Sequence, residues 1–351
     1  MKRWQRLAGV VGACVGLLGV GCSPLGEAID REVSSGYYEA ARGDGVIFSA
    51  GGNWQMVGHH VVEGADRESF RPLAETIAVD RERVYYREHA QPAIDRESFE
   101  VEGKVWRDAA KVYFARAGET MLAPVEGADP ASFRYLFEES VNPRMWARDA
   151  QRYYLEHVPI DVDTATFRFL NQGFVADREQ VYRNQMHLTP VVDVSGPIEV
   201  INAFHLRMGT RVLSGGSWAH RVLEFEAIDA LRSISDRVVV INDQVYEQGE
   251  QVVGWAGDSA TLQAWPQNST YARDAEHVYA LVPTLRRIEG ADRDSFEPME
   301  GYGAYAQDAQ QVYYRGQVLE GADRETFEIV VGEQGPYARD KHGAFVMGAR
   351  R

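Results

Sequence analysis

Residues 305–315 read YAQDAQQVYYR and residues 320–327 read EGADRETF. Near copies of the second stretch stand at 63–70 (EGADRESF), 126–133 (EGADPASF) and 289–296 (EGADRDSF). An octapeptide used four times in one chain marks a repeat, and a repeat sets the architecture before any single residue is interpreted. The first stretch recurs too. It reads IAVDRERVYYR at 77–87, VWRDAAKVYFA at 105–115, WARDAQRYYLE at 146–156, FVADREQVYRN at 174–184, YARDAEHVYAL at 271–281 and YARDKHGAFVM at 337–347.

These segments align on Asp80, Asp108, Asp149, Asp177, Asp274, Asp308 and Asp340. Three residues before each Asp stands an apolar or aromatic residue, and five after it a Tyr or Phe. Asp is favoured at the first position of a type I turn because its carboxylate accepts from backbone N–H groups two residues on, so each segment reads as a β-hairpin. The residue three before and the residue five after are expected to share one aromatic, buried face. In the octapeptide, Asp66, Asp129, Asp292 and Asp323 are placed as N-caps with Ser or Thr three residues later. That predicts one helical turn burying Phe70, Phe133, Phe296 or Phe327. IDRESF (94–99), VDTATF (162–167) and GDSATL (257–262) are degenerate forms.

One unit is then a hairpin, a third strand, a one-turn helix and an exit strand. The fold class expected is mainly β, a tandem array of such hairpin repeats, solenoid-like or propeller-like. Asp177 and Asp274 are 97 residues apart, so at least one diverged copy lies between them, with 235–262 as the candidate. Residues 185–234 fit the pattern least and read as a divergent insertion. The chain divides into a leader at 1–21, a tether at 22–36, repeats at 37–184, the insertion at 185–234 and repeats at 235–351.

The pattern Y-x-x-D-x-x-x-V-Y-Y followed by G-A-D-x-x-[ST]-F, seen in YAQDAQQVYYRG with LEGADRETF and in YARDK at 337–341, resembles the bacterial DKNYY family. The likeness covers most of 77–190 and 261–351, although Lys341 is the only lysine after a turn Asp. It implies an extracytoplasmic repeat module with no established activity and no catalytic residues to carry over.

The first 21 residues carry Lys2, Arg3 and Arg6, then an apolar and small run from Leu7 to Val20. That is a secretory leader, too short for a comfortable membrane span. With Cys22 directly after a small residue it resembles a bacterial lipoprotein signal, although Gly19 stands where that pattern usually has Leu. The resemblance implies that Cys22 becomes the acylated, palmitate-bearing first residue. Ser23 after it implies outer-membrane sorting, with the protein facing the periplasm or the cell exterior. Cys14 also fits locally but leaves a very short apolar core. Since the chain has only these two cysteines, the mature part offers no structural disulfide, thiol nucleophile or cysteine metal site.

Removing the leader takes three positive charges from 37 basic residues and none from 52 acidic ones, which leaves a net charge of −18. Such a chain repels phosphate backbones, and no nucleic-acid partner is expected. The sequence contains no H-E-x-x-H, G-x-S-x-G or S-x-x-K, and Gly103–Lys104 is followed by Val105 rather than the Ser or Thr of a phosphate loop. SGGSW at 214–218 reads as a turn before a strand more readily than as a nucleophile loop. Adjacent His59 and His60 point to opposite faces of a strand, a poor metal pair. Asp161, Asp163 and the turn aspartates are clustered oxygens, but turns and caps already account for them, so neither metal nor cofactor is expected.

Tyr86, Phe114 and Tyr314 follow the ladder aromatics, and Arg107, Arg148, Arg273 and Arg339 precede the turn aspartates. Tyr and Arg are frequent binding anchors, so these seven form a candidate recognition stripe; the alternative is that the arginines stack on the ladder or pair with the turn Asp. Function is expected to be non-catalytic: a lipid-anchored envelope protein whose repeats bind or scaffold a protein or envelope polymer. Two alternatives stay open. One is an envelope hydrolase with its site in 185–262, using Glu224, Glu226 or Asp229; the other is a periplasmic inhibitor or immunity protein. The departure from the repeat at 185–234, with His205, Trp218 and His220, is the other place where a specific site is expected.

Overall fold

The computed structural model describes residues 23–137, 145–216, 220–301, 303–332 and 335–351. The leader, Cys22 and Trp218 lie outside the described residues. The fold is mainly β. Among the described residues there are ten four-stranded antiparallel sheets, each a plain meander of sequence-adjacent strands, and none closes into a barrel. We number them in chain order: sheet 1 spans 25–61, sheet 2 71–90, sheet 3 100–124, sheet 4 134–160, sheet 5 168–193, sheet 6 199–224, sheet 7 231–251, sheet 8 263–287, sheet 9 297–318 and sheet 10 328–350. No helix of the described residues is long and apolar enough to cross a membrane.

The described residues form two compact units, one of 23–135 with 147–152 and 157–159, the other of the remaining described residues. In the first unit, Tyr37, Val46 and Phe48 of sheet 1 pack against Ala78 and Tyr85 of sheet 2. The other face of sheet 2, with Ile77, Val79, Val84 and Tyr86, packs against Tyr113 and Leu122 of sheet 3. In the second unit the same sharing runs from sheet 5 to sheet 10, with sheets 6 to 9 each contributing one face to the core before it and one to the core after it. A sheet covered on both sides needs apolar residues on both, hence the unbroken apolar runs such as IAV and VYY.

That register corrects one expectation. Val79 pairs with Val84 across the turn, so Ala78 pairs with Tyr85 and Ile77 with Tyr86. The residue three before Asp and the residue five after it therefore point to opposite faces, because the turn encloses four residues. The partner of the recurring Tyr or Phe is instead the residue two before Asp: Ala78, Ala272, Ala306 and Ala338 in four copies, facing Tyr85, Tyr279, Tyr313 and Phe345. A small side chain opposite a ring leaves the ring room to reach the neighbouring sheet.

The octapeptide builds its single turn with backbone bonds to its Asp carbonyl, from Ser69 N–H to Asp66 O at 3.1 Å and from Ser132 and Phe133 N–H to Asp129 O at 3.3 and 3.0 Å. Its Phe is the wedge between sheets. Phe70 lies between Tyr37 and Tyr85 with ring centroids 5.3 and 5.5 Å away, and Phe296 between Tyr271 and Tyr313 at 5.3 and 5.2 Å. Tilted and edge-on aromatic contacts of this kind stabilise beyond their buried area by about 0.5–1.5 kcal/mol each.

Residues 185–234, expected as an insertion, are the same unit in different dress. They supply the last strand of sheet 5, all of sheet 6 and the first strand of sheet 7. The central hairpins of sheets 6 and 7 close with two-residue turns, Gly209–Thr210 and Asn242–Asp243, flanked by the pairs Met208–Arg211 and Ile241–Gln244. Without the four-residue Asp turn, the motif that marks the other copies is missing while the architecture persists.

Candidate functional site

The recurring aspartates are the first place to look for chemistry, and the geometry assigns them to the framework. Asp80 Oδ1 accepts from the amides of Glu82 and Arg83 at 2.8 and 2.7 Å, and Oδ2 accepts from the Tyr85 hydroxyl at 2.7 Å and the Asp66 amide at 3.0 Å. Asp66 in turn accepts from Ser69 Oγ at 2.6 Å, and Ser69 Oγ accepts from the Arg81 amide at 3.0 Å. The hairpin turn and the octapeptide are thus one hydrogen-bonded joint, which explains why they recur together. Asp108, Asp177, Asp274 and Asp308 repeat it with Tyr113, Tyr182, Tyr279 and Tyr313. The degenerate octapeptides take part on equal terms, through Asp95, Asp163 and Asp258.

Burial alone raises the Asp80 and Asp308 carboxyls, but the backbone amides and the tyrosine hydroxyl outweigh it and hold both below the ordinary carboxylate range. Burial, together with the bond to the carboxylate, pushes Tyr182 up to about 12. The last copy has Phe345 in place of Tyr, and Arg350 fills in, donating to both oxygens of Asp340 at 3.0 Å. Among the described residues no three His, Cys, Asp or Glu side chains come together as a metal site would require.

The seven candidate surface residues do not form one stripe. Tyr86 is 5% exposed and packs on Trp106 in the core between sheets 2 and 3, so it is no surface anchor. Phe114 stacks on His157 at 4.0 Å and Tyr314 packs on Tyr305 at 4.8 Å. Arg107 pairs with Glu100 and Glu102 at 2.6 and 2.9 Å, and Arg339 pairs with Glu328 at 2.6 Å. Arg273 lies over the Trp265 ring at 4.8 Å, while Arg148 donates to its neighbour's carbonyl, Asp149 O, at 3.3 Å. Arg107, Arg273 and Arg339 therefore serve strands and rings beside them, and Arg107 also donates to Pro130 O of the following octapeptide at 2.9 Å. The carboxylates named for a hydrolase are exposed: Glu224 pairs with Arg211 at 3.2 Å, and Glu226 and Asp229 stand on the connection to sheet 7.

The departure from the pattern falls in sheet 6. At the ladder position, three before the turn Asp, other copies place Trp146, Phe174, Tyr271 or Tyr305; Tyr37 holds the matching place in sheet 1 and His205 in sheet 6, two hairpins without a turn Asp, with Ser214 directly opposite His205. Both are 1% exposed. Asn202 Nδ2 donates to Ser235 O at 2.9 Å, so its Oδ1 is the acceptor for the amides of Phe204 and His205 and for His205 Nδ1 at 2.9 Å. Nδ1 therefore carries the proton, and Nε2 accepts from Ser214 Oγ at 3.0 Å. Burial holds the imidazole down at about 4, partly opposed by the Asp236 charge, so the ring is neutral near pH 7. A cavity of about 270 Å³ opens beside this pair, lined by Phe204, His205, Ser214, Gly216, Asp236, Arg237 and Gln248.

One signal that places these residues was legible and unused. Asn171, Asn202 and Asn268 each stand three residues before a ladder residue, Phe174, His205 and Tyr271. Each caps that strand through Oδ1 and reaches the next repeat through Nδ2. This N-x-x-ring spacing brings sheet 6 into line with the other copies where the Asp motif fails.

A family model described as the DKNYY family matches residues 146–349. No curated protein and no solved structure matches the chain.

Proposed function

The chain belongs to the DKNYY family, and from that premise we propose that it is a non-catalytic lipoprotein of the bacterial envelope. Acylated Cys22 tethers it to the outer membrane, and the β repeats present a binding or scaffold surface to a protein or envelope polymer. One observation supports the non-catalytic reading most directly: the acidic residues that recur through the chain are occupied in the joints between turn and octapeptide. A buried carboxylate with four donors is fixed in its charged state and has no lone pair to offer a substrate. The tether is tested by mass spectrometry of the N-terminal peptide from membrane-fractionated cells. A peptide beginning at triacylated Cys22 is expected; an unmodified N-terminus cut elsewhere overturns it.

A second reading, a hydrolase with its site in 185–262, is favoured by the Asn202–His205–Ser214 chain, in which a neutral imidazole accepts from a serine hydroxyl. Against it stands the burial of Ser214. Labelling by a fluorophosphonate that disappears in Ser214→Ala establishes the nucleophile, and absence of labelling removes it.

A further inference from the structure

Between successive sheets, several copies hold a polar ring that reaches into the next repeat. The Tyr271 hydroxyl donates to Ala304 O at 2.7 Å and accepts from the Gly316 amide at 3.3 Å. The Tyr37 hydroxyl reaches Thr76 O at 2.9 Å, and Tyr305 accepts from the Gly348 amide at 3.1 Å. The indole of Trp146 donates to Asn184 Oδ1 at 3.2 Å.

Sheets 6 and 7 reproduce the receiving end of this contact without the ring. Gln248 donates to Arg237 O at 2.8 Å, as Arg315 donates to Ala304 O and Arg87 to Thr76 O, both at 2.8 Å. The three donors share the left-handed conformation, with φ of 51°, 48° and 55°. Gly249 follows Gln248 as Gly316 follows Arg315, with φ of 78° and 73°. A Cβ on Gly249 would meet Ser214 at 2.9 Å, just as one on Gly316 would meet Ala280, the residue opposite Tyr271, at 2.6 Å. His205 is shorter than a tyrosine and is turned onto Ser214, so the space beyond it is the cavity of about 270 Å³. A buried apolar void on the order of 150 Å³ already accepts a benzene ring, whereas drug-sized ligands need roughly 300 Å³ or more. Arg237 is one of the lining residues, and its Nε is buried with no hydrogen-bond partner.

We propose that this cavity between sheets 6 and 7 binds a single para-substituted phenol, the ring that sheets 1, 8 and 9 supply from their own chain. The hydroxyl takes the place that Tyr271 and Tyr37 occupy against the next repeat, donating toward the Arg237 carbonyl. The proposal rests on the binding reading above and names its ligand class. The source of the phenol is either a tyrosine side chain of a partner or a free phenolic molecule.

The test uses the full chain in detergent, titrated with p-cresol and, in parallel, with a short extended peptide carrying one central tyrosine, followed by calorimetry and by the imidazole NMR signals of His205. Saturable binding of p-cresol alone assigns the site to small phenols; binding of the peptide as well assigns it to a partner's tyrosine. Toluene is expected to bind at least tenfold more weakly than p-cresol. His205→Tyr restores the ladder residue, and it is expected to raise the melting temperature and abolish binding of both probes. Where that variant does not fold, Ser214→Val, which narrows the cavity from the opposite strand, is expected to weaken binding at least tenfold. No saturation at millimolar p-cresol, equal binding of toluene, or undiminished binding in the filled variants overturns the proposal. None of these outcomes depends on acylation, so a failed phenol site and a failed tether are separate results.

Discussion

Sheets 8 and 9 and sheets 6 and 7 have the same four antiparallel strands, yet they join each hairpin to the segment entering it by different means. In sheets 8 and 9 the joint is a charged hub: Asp274 and Asp308 accept from the turn amides, a tyrosine hydroxyl and the amide of Asp258 or Asp292. In sheet 7 the joint is neutral. Asn242 accepts from the amides of Asp229 and Ala230 at 2.8 and 3.3 Å and donates to Ala227 O at 2.6 Å. The architecture is therefore indifferent to which group ties turn to entry segment, provided that the buried backbone donors find an acceptor. What differs is the electrostatics, and with it the response to mutation and to acid.

The largest effect is expected at the hub. Asp308→Ala leaves the Tyr313 hydroxyl and the amides of Asp292, Gln310 and Gln311 without their acceptor. Each orphaned donor costs about 1–3 kcal/mol, partly recovered by water entering the turn, so a net loss of about 3–5 kcal/mol is expected in denaturant unfolding. A loss below about 1 kcal/mol breaks the comparison, since it means that the turn holds without its hub.

Acid separates the two regions next. His205 is buried neutral at about 4, against roughly 6.5 when unfolded, so the unfolded chain takes up the proton first. Stability is fully present above about pH 6.5 and declines as pH falls toward 4, by roughly 3 kcal/mol in all. The hub carboxylates, held below their ordinary value, contribute fully above about pH 4 and lose that contribution only as pH falls further. Hydrogen exchange is thus expected to show sheet 6 losing protection between pH 6.5 and 4 while sheets 8 and 9 keep theirs. Simultaneous loss in both regions contradicts this order, and His205→Tyr should erase the first phase.

A smaller effect is expected from the rings that cross between sheets. Tyr271→Phe keeps the ring between sheets 8 and 9 and removes only the bonds to Ala304 O and Gly316 N. A loss of about 1 kcal/mol is expected, confined to the exchange of sheets 8 and 9. An effect spread evenly over the second unit would mean that the ring matters to more than its own interval.

How much of this was legible follows from what each motif does. The Asp-to-Tyr spacing revealed the hairpins and the octapeptide revealed the wedge, because both are local rules of turn and cap chemistry. The wrong face assignment came from the number of residues in the turn: a loop of four and a loop of three give opposite parities, and the aspartate alone does not distinguish them. Sheet 6 escaped notice because Gly209–Thr210 turns the chain with none of the marked residues, even though Asn202 and His205 keep the spacing of Asn268 and Tyr271. Tyr86 left the candidate surface for a further reason. Tyr86 was assigned outward on the premise of one solvated face, and a stacked sheet has none.

The smallest effect is expected where the neutral joint meets the tight turn. Asn242 and Asp243 have φ of 47° and 63°, the left-handed pair that a two-residue hairpin turn demands. Asn242 cannot be exchanged freely, since its amide ties residues 227–230 to the hairpin. Asp243 is exposed and contributes its backbone conformation. In Asp243→Gly the relief of left-handed strain and the added freedom of the unfolded chain are both under about 1 kcal/mol and opposite in sign, so the midpoint of unfolding should move by less than about 0.5 kcal/mol. Set beside Asp308→Ala, that near-silence is the discriminating result: the two turns share a place in the repeat, but only in one of them is an aspartate side chain part of the joint. A large loss at Asp243 would mean that sheet 7 also relies on a turn carboxylate, and the distinction between charged and neutral joints would then fall.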